Sequence, residues 1–596
     1  MSGRGGRRAG RGKERAAPRP PERGRSLARG SLLLFAVSLG LRLLFWQATP
    51  DSAWPYPVTF KGDALVWLDY ARALRAGVPF ELGLPVHPPG TGYLLSLVWD
   101  GRESGFALLR FTWTVLGAGA VVLFFVAMAR SFGSAVAFIA GGVMAASTGL
   151  MTLSSSLNSE APYLVLVAAS FALFEDLVPR PRLGPLALWA GLQGLACLFR
   201  VEHVLFLVLM LGLLGLAWRR SSASWQSAAA AISLALCAFA APLLPWHVRA
   251  WGAIARFNAA EPDAEDARRI EARPGLTWDE SALARRKELP AFARPTAAAF
   301  VAATVVHRGG QRVRVQDFGL LEEAFGYVPG PIARFPFVSS YGPLNFALAN
   351  DGGAGGGFST ALLEQAPRLL GGPGRYPPGL VAGLPPPQLA LVYPPHLKLF
   401  NEGYSVGGGW IARNPGAFVG LLWRKLGIFW SGAALGFTGY DFPLGASGAR
   451  RAVDLLVPDG GPWIGAWRLA VLAACLAGAA SGFPRLALWP WLLFLLSKVA
   501  TTALFFGYAR QGATAFPVVA LLVALGAERW VLPRLTRYRE RGALLALLGA
   551  TVLLGAETAR WWQRPRARID GQEVGARDPF PGDVHRDQRI EITYGR

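Results

Sequence analysis

Long apolar runs separated by short charged connections set the pattern of this chain. Runs at 31–46, 106–129, 134–153, 161–174, 185–199, 204–218 and 226–245, then 463–480, 487–506, 513–526 and 543–556, each read as membrane-spanning helices by length and apolar continuity. Several are short, which suits helices packed inside a bundle. The first run contains Arg42 and lacks a small-residue cleavage site after it, so it predicts a retained anchor helix. A further run, 418–437, is interrupted by Arg424 and Lys425. The fold class predicted is mainly α: a polytopic membrane protein of about 11–12 transmembrane helices with a large extracytoplasmic loop region.

Arginine fixes the expected orientation. Arg130, Arg180 with Arg182, and Arg219 with Arg220 fall on alternate connections and can all be cytoplasmic. The first outer loop, 47–105, the turn at 154–160 and the segment after Trp246 then face outward. Near the end, residues 528–542 hold five arginines and belong inside with Arg485, leaving "GYARQG" outside. That register gives 11 spans if 418–437 lies along the interface or re-enters, and 12 if it crosses. The expected organisation is a disordered basic cytoplasmic tail at 1–30, an N-terminal transmembrane core at 31–246, an extracytoplasmic loop domain at 247–415, C-terminal transmembrane helices at 416–559 and a tail at 560–596.

Composition agrees with the pattern. Of 596 residues, 52% are hydrophobic and only 16% charged, too apolar for a soluble globule of this length. The net charge of +22 comes mainly from arginine within a Gly, Ala and Arg bias. Residues 1–30 carry ten Lys/Arg but no aromatic side chain to stack on bases, so a membrane-adjacent tail fits better than an RNA-binding arm. Cys197, Cys237 and Cys475 lie in apolar runs and suggest neither a disulfide framework nor a thiolate metal cluster.

The stretch "FKGDALVWLDYARALRAGVPF", 60–80, concentrates charge beside the first span. Charges at a membrane interface are costly unless paired, solvated or used. Asp69 reads as the partner of Arg72 or Arg75 on an interfacial amphipathic helix, with Trp67 anchored at headgroup depth. Asp63 follows Gly62 at the start of that helix; it is either an N-terminal cap or a carboxylate aimed into a site.

These segments, taken in order, resemble a known family. "GDALVWLDYARALRAG" with "HPPGTGYLLSLVW", "SLNSEAPYLVLVAA", "GLACLFRVEHVLF", "PLLPWHVRAW", "YGPLNFALANDGGAGGGF", "NPGAFVGLLWRKLGIFW" and "YARQGATAFPVVALL" are similar to motifs of the C-type membrane glycosyltransferases. The group they most resemble is the protein O-mannosyltransferase and lipid A aminoarabinose transferase superfamily, glycosyltransferase family 39 and its bacterial relatives. Four positions depart from that pattern. Ala64 follows Asp63 where many relatives carry Asp-Glu, Gly512 and Thr514 stand where Arg and Pro are common, and His247 takes a usually apolar or hydroxylated position.

The resemblance implies an enzyme of the bacterial inner membrane that moves a hexosyl or pentosyl unit from a polyprenyl-phosphate donor to an acceptor lipid, glycan or protein at the extracytoplasmic face. It implies Asp63 as general base in an inverting displacement, with Glu160 orienting the acceptor or helping to hold a divalent ion. Arg510, Arg249, Arg200 and Lys425 are the candidates for the donor phosphate; Arg249 also reads as an interface snorkeller and Arg200 as the partner of Glu202. Asn345, Asn350 and His87 are candidates for sugar or acceptor, although Asn beside Gly also forms turns. Glu160 and His247 are the metal candidates; no other cofactor and no nucleic-acid partner are expected. The competing readings are a polysaccharide ligase or polymerase and a lipid-linked-sugar transporter or flippase. The last would place its polar residues near the midplane, and no internal repeat supports it.

Overall fold

A computed structural model of the chain describes residues 20–48, 63–178, 182–220, 224–260, 275–333, 336–364, 376, 389–435, 464–483, 485–531 and three strands within 565–594. Helix α1, Pro20–Ala48, begins ahead of the first apolar run. Residues 20–30 are therefore helical where the composition predicts disorder. Two prolines fit the opening turn, and Arg, Leu, Ala and Glu are good helix formers once an apolar helix is there to extend. Residues 1–19 lie outside the described part. Helices α2, Ala64–Ala76, and α3, Gly90–Val98, occupy the first long connection.

The N-terminal bundle continues with α4, Phe106–Phe132, and α5, Ser134–Ala146. Gly133 joins them at φ 94°, ψ 165°, a conformation open to glycine. The expected span 134–153 is broken. Ser147 accepts the Leu150 N–H and starts a new helix, α6, Thr148–Ser155, bent 58° from α5. Next come α7, Glu160–Leu177, α8, Leu183–Phe199, α9, His203–Arg220, α10, Trp225–Ala240, and α11, Leu244–Ala259. The expected span 226–245 is only part of the α10–α11 pair, which turns by 54° at a junction containing Pro242 and Pro245.

Residues 275–333 form a small lobe of α12, Glu280–Glu288, α13, Arg294–His307, and α14, Gly319–Phe325, tied by a two-residue parallel pairing of β1, Thr277–Trp278, with β2, Arg312–Val313. This lobe has its own apolar cluster around Phe300, Val301 and Leu321. Helices α15, Gly342–Ala349, and α16, Pro394–Arg413, form another cluster with Leu84, Val86, Ile254 and Phe506. That cluster clamps the first long connection onto the bundle.

The C-terminal helices are α17, Pro415–Leu435, α18, Ile464–Gly482, α19, Trp489–Leu504, and α20, Ala509–Gly526. Helix α17 is continuous through Arg424 and Lys425, so no re-entrant break forms there. It closes on α20 where both backbones lack side chains: a Cβ at Gly432 would strike the Ala509 carbonyl, and one at Gly512 the Phe429 carbonyl. The two ends of the chain share one core. Trp491 of α19 stacks on Phe171 of α7 with centroids 4.2 Å apart, and Phe494 meets Phe206 edge-on at 5.3 Å. Burying rings of this size contributes about 1.5–3 kcal/mol each. A three-stranded antiparallel sheet, with β3, Pro565–Ile569, between β4, Gln572–Val574, and β5, Ile590–Tyr594, lies in the expected C-terminal tail.

Among the described residues, four helices are long and apolar enough to cross a membrane, or six if each bent pair is one span; α8 and residues 468–482 are shorter apolar helices. The expected count of 11 or 12 is not reached on length and composition. Helix interruption and packing shorten several of the apolar runs, and 543–556 falls outside the described residues.

Candidate active site

Asp63 occupies the N-cap position of α2 but makes no capping hydrogen bond. Its carboxylate crosses to Arg510, the second residue of α20, and accepts from Nη2 at 2.6 Å over a separation of 447 positions. Of its two sequence readings, the side-chain cap is not formed; Arg510 holds the carboxylate instead. Arg510 Nε lies 3.5 Å from Oε1 of Glu160, the first residue of α7, whose side chain is 0% exposed. Arg200, in the short connection from α8 to α9, donates to the same oxygen at 2.8 Å and to Glu202 at 2.7 Å. Of its two sequence readings, the pairing with Glu202 is formed, and Glu160 is a second partner. Lys498 of α19, 1% exposed, completes the series 3.5 Å from Glu202. Asp63, Arg510, Glu160, Arg200, Glu202 and Lys498 therefore alternate in sign, three carboxylates against three cations.

The charges support one another. Burial acts to raise the Asp63 carboxyl, but Arg510, through charge and hydrogen bond, with His87 and Arg200 outweighs it and holds the group below its ordinary value. Burial likewise opposes ionisation of Glu202, and the Arg200 and Lys498 charges overcome it. Glu202 and Glu160 in turn hold Arg200 charged against its own desolvation. The Asp63 side chain is 42% exposed, so a ligand can reach it despite the ion pair. Glu160 Oε2 has no hydrogen-bond partner among the described residues. An acceptor position is thereby left open beside Arg510 and Arg200.

A polar floor lies beneath. Tyr163 OH is 2.9 Å from His203 Nδ1, and His203 Nε2 is 2.7 Å from Gln193 Oε1. Since the Gln193 oxygen can only accept, Nε2 carries the proton and Nδ1 accepts from the tyrosine. The Tyr163 ring faces Lys498 Nζ at 4.5 Å and Arg200 at 5.9 Å, within reach of cation–π attraction.

His87 stands beside Asp63. Its ring pairs with Glu81, which also accepts the His87 backbone N–H at 3.2 Å, and stacks on Tyr341 at 5.5 Å. Glu81 is the non-glycine residue held at positive φ, 51°, among those described, a strain of order 1 kcal/mol. A cavity of about 580 Å³ opens from His87 and Glu81, bounded by Tyr70, Trp246, Arg249 and Arg256. Arg249 donates to Tyr93 OH and is otherwise at the surface. The cavity wall does not include Asp63, Glu160 or Arg510; it adjoins them through His87.

Other expected residues are placed elsewhere. Lys425 is fully buried and donates to Asn350 Oδ1 at 2.8 Å, while Asn350 Nδ2 serves the Phe346 and Leu504 carbonyls. Together they pin the start of the glycine-rich loop to α17 and α19. Asn345 lies on α15 with Oδ1 buried and without a hydrogen-bond partner among the described residues. His247 packs on Trp251 and Phe337. Among the described residues, no three His, Cys, Asp or Glu side chains gather to hold a metal ion, so Glu160 and His247 do not form such a site. Asp69 pairs with Arg72 at 2.9 Å in the open, whereas Trp67 is buried against His87 instead of anchoring at a surface. Two departures from the family pattern have packing causes: Ala64 is fully buried, and Gly512 touches α17. Lys498 was not foreseen, although a lysine within an apolar run is itself a signal.

The family model described as dolichyl-phosphate-mannose-protein mannosyltransferase matches residues 86–246. No curated protein matches the chain. Among solved structures, the chain is similar to the Archaeoglobus fulgidus oligosaccharyltransferase tethered to an acceptor peptide containing the NVT sequon, at 14% identity and a TM-score of 0.38, over 89% of this chain and 55% of that one. It is also similar to the oligosaccharyltransferase AglB of the same organism in complex with an inhibitory peptide and a dolichol-phosphate, at 13% identity and a TM-score of 0.38, over 89% and 56%. The chain spans about half the length of those proteins. Residues 86–246, less than half of the chain, are thus similar to that mannosyltransferase family, within a mainly helical fold.

Proposed function

We propose that the protein transfers one sugar from a polyprenyl-phosphate donor to an acceptor hydroxyl at the extracytoplasmic face of a bacterial-type inner membrane, inverting the anomeric centre. The observation that carries this reading is the contact of Asp63 with Arg510 at 2.6 Å, with Glu160 on the same guanidinium. A base and a cation suited to a leaving phosphate share one polar cluster at helix ends.

The ionised Asp63 takes the proton of the acceptor hydroxyl. The acceptor oxygen forms its bond to the anomeric carbon from the face opposite the phosphate, while the carbon–oxygen bond to phosphate breaks and the electron pair leaves with the phosphate. A positioned base of this kind contributes about 10² to 10⁴-fold. Arg510 faces the developing anionic charge with forked donors. Arg249 and Arg256, on the wall of the 580 Å³ cavity with Tyr70, Phe80, Trp246 and Phe257, suit an anionic headgroup on an apolar chain. Glu160 Oε2, buried and unbonded among the described residues, suits a hydroxyl of sugar or acceptor.

The test uses purified protein in detergent with radiolabelled polyprenyl-phosphate sugars and candidate lipid, glycan and protein acceptors. Transfer by the wild type with loss of at least 10²-fold in Asp63→Asn is expected. Unchanged turnover in that variant removes the base, and movement of an intact lipid-linked sugar without bond cleavage would replace the enzyme with a transporter.

A further inference from the structure

We infer that Glu202 and Lys498 are positioning residues, a neutral strut that holds Arg200 against Glu160 and tunes the charge felt at Asp63. The inference rests on the reading of Asp63 as the base. Neither residue faces the 580 Å³ cavity.

The geometry is that of a brace. Arg200 is forked, with Nε on Glu202 and Nη1 on Glu160, so Glu202 fixes the guanidinium plane and thereby the direction of its second donor. Glu202 is in turn fixed by Lys498, which arrives from α19 at the other end of the chain. Lys498 is almost wholly enclosed, between the Tyr163 ring at 4.5 Å and the Phe494 ring at 5.5 Å. A buried lysine without a carboxylate would be costly, and a buried Glu202 held only by Arg200 would draw that arginine from Glu160. Each member corrects the other's charge. Around Asp63 the strut acts alongside the groups that face it directly: Arg510 from α20, Arg200 from the α8–α9 connection, and His87 and Tyr341 from the covering loops, with Glu81 behind His87 and Glu160 on the far side of Arg510.

Opposite signs give the inference its test. Glu202→Gln leaves the series one charge more positive and should move the acidic limb of kcat/KM down by about half a pH unit; Lys498→Met leaves it one charge more negative and should move the limb up by about the same amount. The double variant Glu202→Gln/Lys498→Met, neutral again, should return the limb to the wild-type position while retaining part of the activity lost in each single variant. A purely structural pair would lower kcat without ordered limb shifts. The measurement uses full-length protein in detergent with radiolabelled polyprenyl-phosphate mannose, or whichever labelled donor turns over in the wild type. Should Glu202→Gln fail to fold, Lys498→Met and the double variant carry the comparison. Limbs that stay fixed, that move the same way in both single variants, or that remain displaced in the double variant overturn the strut. Asp63→Asn, run alongside, fails separately: full activity there removes the base whatever the limbs do.

Discussion

Replacing Arg510 with lysine keeps one positive charge and removes the fork. In the structure two different atoms of this side chain are used, Nη2 on Asp63 at 2.6 Å and Nε near Glu160 at 3.5 Å. At an effective dielectric of about 20, each such pair has a gross attraction of roughly 5–6 kcal/mol, most of which desolvation cancels. What remains for a charge-assisted hydrogen bond is about 1.5–3 kcal/mol, and Asp63, 42% exposed, places its contact at the low end. A single ammonium serves one carboxylate well and the other poorly. Arg510→Lys is therefore expected to lose about 1.5–2 kcal/mol of transition-state stabilisation, a 10- to 30-fold fall in kcat/KM, and Arg510→Ala about 3 kcal/mol, or about 10²-fold. Steady-state transfer from the labelled donor measures both, with the loss expected in kcat because the leaving phosphate is charged mainly as the bond breaks. Wild-type kcat/KM in Arg510→Lys would refute the two-carboxylate role.

Three further outcomes follow from the same contacts. Because the Asp63 carboxyl is held below its ordinary value, its base form persists as pH falls past about 4, and kcat/KM should stay level down to that point; in Arg510→Ala burial is no longer outweighed, and the acidic limb should rise, which a pH–rate profile reads. Asn350→Ala removes one acceptor of buried Lys425 and the donors to the Phe346 and Leu504 carbonyls of α15 and α19, so thermal unfolding in detergent should show a loss of about 2–4 kcal/mol while KM for the donor is unchanged; a selective rise in KM would make Asn350 a ligand contact. Gly512→Ala puts a methyl group onto the Phe429 carbonyl and 2.8 Å from Ala433 N, both backbone, and should cost about 1–3 kcal/mol or more in the α17–α20 packing, whereas Gly408→Ala, with open space around it, should be silent in the same melt.

Much of the architecture was legible because apolar length and arginine placement are local properties: α4, α7, α8 and α9 begin and end within a few residues of the predicted runs. Breaks were less so. Nothing in the hydropathy of 134–153 announces that Ser147 will accept a backbone N–H and restart the helix. For the site, Asp63, Glu160 and Arg510 were found through motif order, and the structure brings them together. The contact of Lys425 with Asn350, across 75 positions, was not legible, because each carries chemistry suited to a ligand and only the fold shows them hydrogen-bonded to each other. Arg42 was read as a feature of the first span. In the folded chain it donates to Ser38 and Ser154, fixing α6 just ahead of the turn that presents Glu160.

The alternating charges also impose an order on biosynthesis. When synthesis has passed residue 202, Asp63, Glu160, Arg200 and Glu202 are present, two negative charges in excess; neutrality waits for Lys498 and Arg510. A chain that stops before Lys498 leaves the three carboxylates facing Arg200 alone. The last third of the polypeptide thus supplies the two cations that neutralise a cluster begun in the first.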